Sequence, residues 1–284
     1  MDQQNRIYIP YNDTLAYEYY TKVAAARPHL RLDVTQLPEI ITPAYVKSIK
    51  FHPGLLSLGL RKELNAAKND FIIRGIPFVV PGGRFNEMYG WDSYFESLGL
   101  LVDGRVELAR GMVENFWYQI EHYGKILNAN RSYYLTRSQP PFLTDMMLQV
   151  LTKLRLKPEW DSIRCRLWLL NGTRAAIKEL LSVWFTAPRL DARVGLCKYY
   201  TEGSGMPSET EADHYDAILR PFAEKYQVDL EKFKEMYENE EVIEPELDDY
   251  FIHDRAGNFF IFKSSKCAKV GMTLRTVLIE NVHI

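Results

Sequence analysis

The stretch most informative about chemistry is PGGRFNEMYGWDSYF, residues 81–95. Two glycines, Gly82 and Gly83, precede an arginine and a Trp-Asp pair, and glycine allows a sharp turn or a close approach of the backbone to a ligand. They place Arg84 beside the start of a predicted helix. An arginine and a carboxylate held among aromatic rings in this way are typical of a site that binds a polar ligand.

A second polar loop, residues 122–141, supplies more side chains of the same kinds: Asn128, Asn130, Arg131, Arg137 and Gln139. Such side chains donate and accept in planar, often bidentate arrangements that match vicinal sugar hydroxyls. Aromatic faces suit the C–H faces of pyranose rings. The same arginines also suit a phosphate or a carboxylate, or they cap helices and pair with Glu87 and Asp92. On chemistry alone, a sugar, an anion and a structural role all stay open.

Composition excludes several other classes of function. The formal net charge is −2 over 284 residues, which argues against general nucleic-acid binding. No run of apolar residues is long enough to span a membrane, and the first residues, MDQQNRIYIPYND, lack the features of a secretory signal. The three cysteines have no zinc-ligand spacing, and no metal, nucleophile or nucleotide-binding motif is present. These observations predict a cytoplasmic protein with no metal site.

The elements that position these loops are predicted to be helices in pairs. Apolar residues at steps of three and four predict one helix from Trp91 to Val102 and a second from Val106 to Ile120. The short link Asp103-Gly104 makes them an αα-hairpin. A third helix follows Pro140-Pro141, and a fourth is predicted over residues 173–185 with Ile177, Leu180, Leu181 and Trp184 facing inward. Two shorter helices are predicted over residues 213–226 and 229–237.

The predicted fold class is all-α, built from αα-hairpins separated by long loops. Loops of more than about 15 residues in a compact domain usually carry function. Residues 1–80 are predicted to form an irregular lead-in with short helices, although residues 71–80 could hold a short strand. Residues 81–256 form the helical domain, and residues 257–284 form a tail that does not continue the hairpin pattern.

Several motifs together resemble the neutral (cytosolic) trehalases of fungi. They are PGGRFNEMYGWDSYF, ARGMVENFWYQIEHYGKILNANRSYYLTRSQPPFLTDM, PRLD, PSETEADHYD and FIHDR. The first matches the family signature PGGRFxExYxWDxY, and the resemblance covers roughly residues 6–256. This family of glycoside hydrolases has an (α/α)6 toroid, splits α,α-trehalose into two glucoses with inversion, and needs no cofactor for the chemistry. The resemblance therefore implies a partial toroid and trehalose as the ligand.

The resemblance also implies particular binding residues. The glucose subsite would be lined by Arg84, Phe85, Tyr89, Trp91 and Asp92. The family's second sugar-binding motif would be matched by Asn128, Arg137, Ser138 and Gln139. Glu209 would be a sugar-contacting glutamate, although Ser208 stands where the family pattern has proline.

The family's catalytic residues are not matched. An inverting glycosidase needs a general acid and a general base roughly 6.5–9.5 Å apart. In the family the acid lies in an E-S-G-x-D segment after the HDR motif, and the base lies farther on. Here residues 253–256 run into GNFFIFKSSK, and neither that segment nor the Q-W-D signature nor the family's regulatory calcium-binding segment is found. The resemblance therefore implies the N-terminal half of the catalytic domain, truncated before its acid and base and inactive alone.

Two alternatives accompany this interpretation. The chain could be a non-catalytic, trehalose-binding or regulatory module that pairs with a full-length enzyme. Half a ring exposes apolar helix faces, and exposed patches of that size mark a partner interface or an aggregation liability. The chain could also be a fragment produced by an incorrect gene model.

Overall fold

The computed structural model describes residues 5–49, 52–65, 70–198, 200 and 213–251. The chain divides into two compact units, of which the first is Met1–Thr201 with Met272–Ile284 and the second is Glu202–Gly271. The predicted tail, residues 257–284, lies outside the described residues.

The first unit begins with a small parallel sheet. Its central strand β1 pairs with β2 on one side and β3 on the other, in the order β2-β1-β3. Helix α1 follows Asp13, whose carboxylate caps it by accepting from the backbone N–H of Ala16 at 2.9 Å. The bounds are β1 Asn5–Ile9, α1 Thr14–Ala26, β2 Leu32–Gln36, α2 Pro43–Ser48 and β3 Leu55–Leu56. The segment predicted as an irregular lead-in therefore has regular structure.

A β-hairpin follows. Strands β4 (Leu60–Asn65) and β5 (Asp70–Gly75) are antiparallel, with Leu60 opposite Gly75. The strand predicted within residues 71–80 is therefore present, but it begins at Asp70 and ends at Gly75. Among the residues described before position 80 there are thus five strands, and the all-α prediction is corrected on this point. These strands are short, and β1 is partly buried without a polar–apolar alternation, so the sequence pattern does not reveal it.

Four longer helices follow in the described part of the first unit. The predicted αα-hairpin is confirmed as α3 (Gly90–Val102) and α4 (Val106–Tyr123), and the predicted third helix as α5 (Leu143–Leu154). Helix α6 (Ser162–Glu179) runs into one π-helical turn, Leu180–Trp184. A two-residue hairpin, β6 (Leu190–Asp191) and β7 (Leu196–Cys197), follows.

The fourth helix begins earlier than predicted. The carboxylate of Asp161 caps α6 by accepting from the N–H of Arg164 at 2.7 Å. The inward side of α6 includes Cys165, Trp168 and Gly172, whereas Ile177 and Leu181, which were predicted to face inward, are exposed. The prediction of an inward face at these two positions is wrong, because small and polar residues occupy much of the buried side.

The core of the first unit is centred on α4, which packs against α3, α5 and α6. Its buried side chains lie at helical spacing: Ala109, Met112, Val113, Phe116 and Ile120. A second cluster joins the parallel sheet to the end of α4 through Tyr8, Leu56, Tyr123 and Leu127. The sheet and the helix ends thereby support the loop that follows α4.

The described part of the second unit contains three short helices with a core of their own. The predicted helices near residues 213–226 and 229–237 are confirmed as α7 (Asp216–Lys225) and α8 (Leu230–Glu238), and α9 (Pro245–Phe251) is added. Phe233 and Tyr237 are fully buried among these three helices. The helix-rich prediction is therefore correct for both units.

Two helices of the first unit expose apolar residues along one face. On α3 these are Trp91, Phe95 and Val102, and on α6 they are Ile163, Leu167, Leu170 and Ile177. Among the described residues no helix is both long and apolar enough to cross a membrane.

Candidate functional site

The two polar loops singled out by their chemistry lie side by side. The backbone N–H of Gly90 donates to the carbonyl oxygen of Asn128 at 3.0 Å, and Tyr89 forms an isolated antiparallel bridge with Ala129. The N–H of Met88 donates to Oδ1 of Asn130 at 2.8 Å. The segment before α3 and the segment after α4 are therefore joined along their backbones.

The loop after α4 also folds back on itself. Leu127 and Ser138 form an antiparallel bridge, and the N–H of Asn128 donates to the carbonyl oxygen of Arg137 at 3.1 Å. The N–H of Gln139 donates to the carbonyl oxygen of Ile126 at 3.3 Å. The structure thus brings Asn128 next to Arg137, Ser138 and Gln139.

Contact between the loops is close enough to require glycine at position 90. A Cβ atom there would lie 2.4 Å from Cγ of Gln139 and 3.0 Å from the carbonyl oxygen of Leu127. Gln139 is itself buried, and Ser138 is completely buried. Gly90 therefore sets how closely α3 approaches the second loop.

The Pro-Gly-Gly turn presents Arg84 to solvent. Gly82 and Gly83 have φ of +93° and +62°, the left-handed region that favours glycine. Gly82 and Phe85 exchange backbone hydrogen bonds at 3.2 and 3.1 Å, which closes the turn. The guanidinium of Arg84 lies 5.0 Å from the centre of the Phe85 ring, and that ring meets Tyr89 edge-on at 5.5 Å. The turn therefore carries an exposed cation beside two aromatic rings.

One of the candidate cations is engaged within the protein. The guanidinium of Arg131 donates to Oε1 of Glu87, whose side chain is 6% exposed. Tyr89 donates its hydroxyl to the other carboxylate oxygen at 3.4 Å. Burial, and secondly the charge of Glu87, raise the pKa of the Tyr89 hydroxyl. The structural pairing of Arg131 with Glu87, one of the alternatives left open by the sequence, is therefore observed.

The first turns of α3 hold the Trp-Asp pair. Trp91 is 47% exposed, and Asp92 lies in the first turn, where the helix dipole favours a carboxylate. One turn later, both carboxylate oxygens of Glu96 are buried with no hydrogen-bond partner among the described residues. Burial, and then the charge of Asp92, raise the pKa of Glu96 to about 7. Sequence reasoning did not select Glu96, although its i,i+4 spacing from Asp92 was visible.

Aromatic contacts fix α3 against α5. Tyr94 stacks on Phe142 with ring centres 4.7 Å apart, and its hydroxyl donates to Oδ2 of Asp145 at 2.6 Å. That hydrogen bond is the largest cause that raises the pKa of Tyr94 to about 12. The orientation of the helix that carries Trp91 and Asp92 is set in this way by its buried neighbours.

Two side chains, one from α4 and one from α6, accept hydrogen bonds from the backbone of the second loop. Oε1 of Glu179 accepts from the N–H of Ile126 at 3.0 Å, and Oε1 of Gln119 accepts from the N–H of Leu127 at 2.9 Å. Burial raises the pKa of Glu179 to about 7, although the hydrogen bond from Ile126 and the charge of Arg189 oppose the rise. Neither residue was predicted from the sequence, because glutamate and glutamine side chains usually lie in solvent.

Three further observations bound the site. Glu209 lies outside the described residues, so the structure does not place it. A cavity of about 440 Å³ is lined by residues including Asp13, Arg61, Glu114 and His122, and by none of the predicted sugar-binding residues. The described residues contain no group of three or more histidine, cysteine, aspartate or glutamate side chains that could hold a metal ion.

Comparisons with known proteins agree with the motifs. The cytosolic neutral trehalase of Neurospora crassa is 54% identical over 255 residues, which is 90% of this chain and 34% of the relative. A probable trehalase of Saccharomyces cerevisiae is 51% identical over 251 residues, covering 88% of this chain and 32% of its own length. The solved structure of a neutral trehalase from the same yeast matches with a TM-score of 0.80 and 49% identity, over 89% of this chain and 46% of that chain.

The chain spans about a third of the length of the curated relatives that it matches. The family model described as trehalase matches residues 1–270. That match covers both described units and the two loops that meet at Gly90 and Asn128. The chain therefore belongs to the trehalase family.

Proposed function

We propose that this chain supplies a glucose-binding part of an α,α-trehalase, the inverting glycoside hydrolase that splits trehalose and water into two glucoses. The observation that carries the proposal is the backbone pairing of Gly90 with Asn128, which joins the two motif loops in a chain of the trehalase family. The paired helices α3 to α6 would be consecutive parts of an (α/α)6 toroid.

The side chains at these loops suit a neutral polyol. Arg84, Asn128, Arg137 and Gln139 would donate to sugar hydroxyls, and Asp92 would accept from them. The rings of Phe85, Tyr89 and Trp91 would cover the apolar face of a pyranose. Ser138 and Glu209 complete the proposed set by resemblance to the family.

A neutral sugar is favoured over an anion, the other ligand that the residue types allow. Glu87 engages the guanidinium of Arg131 and so offsets one positive charge of the second loop. Asp92 adds a negative charge at the same end of α3. An anion would meet these carboxylates, whereas hydroxyl groups can donate to them.

Binding without hydrolysis is expected of this chain on its own. Asp92 and Glu209 are proposed as acceptors for sugar hydroxyls, whereas a general acid must donate a proton to the leaving group. The chemistry would need no cofactor, and the site of action would be the cytosol, because relatives are named cytosolic neutral trehalases.

Calorimetric titration with trehalose tests the proposal. We expect binding by the 284-residue chain, and a loss of about tenfold in affinity for Arg84→Ala or Asn128→Ala, because each removes one polar contact with the sugar. Arg166→Ala, an exposed arginine on α6, is the matched control and should bind normally. Maltose and inorganic phosphate should bind more weakly than trehalose.

Two outcomes would contradict the proposal. Tighter binding of phosphate than of trehalose, lost in Arg84→Ala, would assign the loops to an anion. No heat with trehalose and no thermal shift would remove the sugar-binding function. Glucose release that Asp92→Ala abolishes would instead overturn the expectation that the chain alone does not hydrolyse trehalose.

A second candidate function is a non-catalytic module that pairs with another trehalase chain. The exposed apolar faces of α3 and α6 favour it, because monomers rarely leave such continuous apolar faces in water. The partner would be a full-length member of the family. Co-elution of the two chains, weakened by Leu167→Glu and unchanged by Arg166→Glu, would support this function. Separate elution would argue against it.

A further inference from the structure

We propose that Glu179 is a positioning residue for the sugar-binding loop, which it fixes through the backbone N–H of Ile126. The inference rests on the proposed function for its consequence in binding. The geometry, in which a carboxylate from α6 accepts a hydrogen bond from the loop after α4, is independent of that function.

Glu179 is buried at the end of α6. It is the last residue of α6 and is only 2% exposed, and its Oε1 accepts from Ile126 at 3.0 Å. A buried carboxylate costs free energy unless it is hydrogen-bonded. Packing alone does not explain an ionisable group here, because an apolar side chain of similar size would fill the same space without that cost.

Ile126 lies near the start of the loop that follows α4. The helix α4 ends at Tyr123, and its C-cap residue Gly124 has a φ of +78°. Ile126 donates its N–H to Glu179 and accepts at its carbonyl oxygen from the N–H of Gln139. One peptide segment therefore connects the carboxylate directly to the segment that carries the second half of the motif, residues 137–139.

The hydrogen-bonded contacts continue from Ile126 to the predicted binding residues. Leu127, the next residue, is held by Gln119 and forms a bridge with Ser138. Asn128 follows, with its N–H on Arg137 and its carbonyl oxygen on Gly90. The backbone of residues 126–128 is therefore fixed at Ile126 by Glu179 and at Asn128 by the hydrogen bond from Gly90 of α3.

Variants of Glu179 separate positioning from general stability. Glu179→Met keeps a similar side-chain length but removes the acceptor, whereas Glu179→Gln keeps an acceptor oxygen. Cys165→Ala, a buried position on the same helix, is the control for a loss of stability that does not involve the loop. Each 284-residue variant is compared with the wild type by amide hydrogen exchange and by titration with trehalose.

For Glu179→Met we expect amide exchange at Ile126 and Gln139 to speed up by about tenfold, since a lost acceptor leaves a buried donor unpaired. Affinity for trehalose should fall by a similar factor. Glu179→Gln should restore both within about threefold. Cys165→Ala should leave both unchanged relative to the wild type, even where its melting temperature is lower.

Normal exchange at Ile126 in Glu179→Met would overturn the proposal, and so would loss of protection in Glu179→Gln. Weakened trehalose binding in Cys165→Ala equal to that in Glu179→Met would assign the effect to general stability. If Glu179→Met does not fold, Glu179→Ala, which also lacks the acceptor, takes its place with the same expected results. If the wild type does not bind trehalose, the proposed function fails, whereas the exchange comparison still supports or refutes the positioning role.

Discussion

The backbone N–H of Gly90 donates to the carbonyl oxygen of Asn128 at 3.0 Å, which joins the first residue of α3 to the loop after α4. This contact places the motif that carries Arg84 and Asp92 beside the motif that carries Arg137. Because α3 and α4 form a hairpin, the start of α3 and the end of α4 lie at the same end of the helix pair, and the two motifs meet there.

Replacing Gly90 tests that approach. Gly90→Ala introduces a Cβ that would meet Gln139 and the carbonyl oxygen of Leu127, so the loops must separate. We expect a loss of about 1–3 kcal/mol in the free energy of unfolding, the usual range for overpacking. Urea denaturation measures it, and trehalose affinity should fall as well.

Gly99→Ala on the same helix is the matched control, because a Cβ there meets no atom within 4 Å. Alanine has a higher helix propensity than glycine, so this variant should be more stable by about 0.5–1 kcal/mol. Equal destabilisation by both substitutions would show that the contact at Gly90 is not what matters.

The Glu87–Arg131 pair should contribute measurably to stability. Arg131→Met leaves the buried carboxylate of Glu87 without its charged partner. Complete removal of a partner from a buried pair costs about 3–5 kcal/mol, and the partial exposure of Arg131 reduces the expected loss to about 2 kcal/mol. Chemical denaturation at pH 7 measures this loss.

An exposed ion pair in the same unit provides the comparison. Lys22 and Glu18 lie 3.8 Å apart on α1 with both side chains mostly in solvent. Lys22→Met should change the free energy of unfolding by less than about 0.5 kcal/mol. A loss no larger than this for Arg131→Met would mean that Glu87 is adequately solvated without the arginine.

Glu179 should make stability depend on pH near neutrality. Its pKa in the folded chain is raised from 4.5 to about 7, so between these values the folded state holds a proton that the unfolded state has released. Stability therefore falls as the pH rises from about 4.5 to 7. Above pH 7 the full cost, about 3 kcal/mol for a shift of this size, applies.

Glu179→Gln removes this titration. We expect the variant and the wild type to have similar stability at pH 4.5, and the variant to be more stable by up to about 3 kcal/mol at pH 8. Denaturation midpoints measured from pH 4.5 to 8 give the comparison. Parallel curves for the two proteins would show that Glu179 does not titrate in this range.

The pKa of Glu96 should respond to its neighbour on α3. Burial is the main cause of its rise to about 7, and the negative charge of Asp92 adds to it. Asp92→Asn removes that charge, so the pKa of Glu96 should fall but stay above 4.5. Carboxyl carbon chemical shifts followed by NMR as a function of pH measure the change. A pKa that is the same in both proteins would leave burial as the whole cause.

Predictions from the sequence succeeded for elements whose own pattern of apolar residues is enough to identify them. The apolar spacing of α3, α4 and α5 predicted their existence and the hairpin, because each of these helices has one continuous buried face. The start of α6 was missed, because its exposed side includes Ile163 and Leu167 and its buried side includes Gly172. The parallel sheet was missed because short partly buried strands have no distinctive alternation.

By itself, the sequence determined the family motifs and the helix-rich fold, and it predicted the side chains that would bind a sugar. Only the tertiary structure decided that Arg131 is engaged by Glu87 and that Glu179 lies under Ile126. Both contacts join residues far apart in the chain, and the sequence carries no local pattern for such pairs. Burial then changes the chemistry of Glu179, because a carboxylate removed from water keeps its proton to a higher pH.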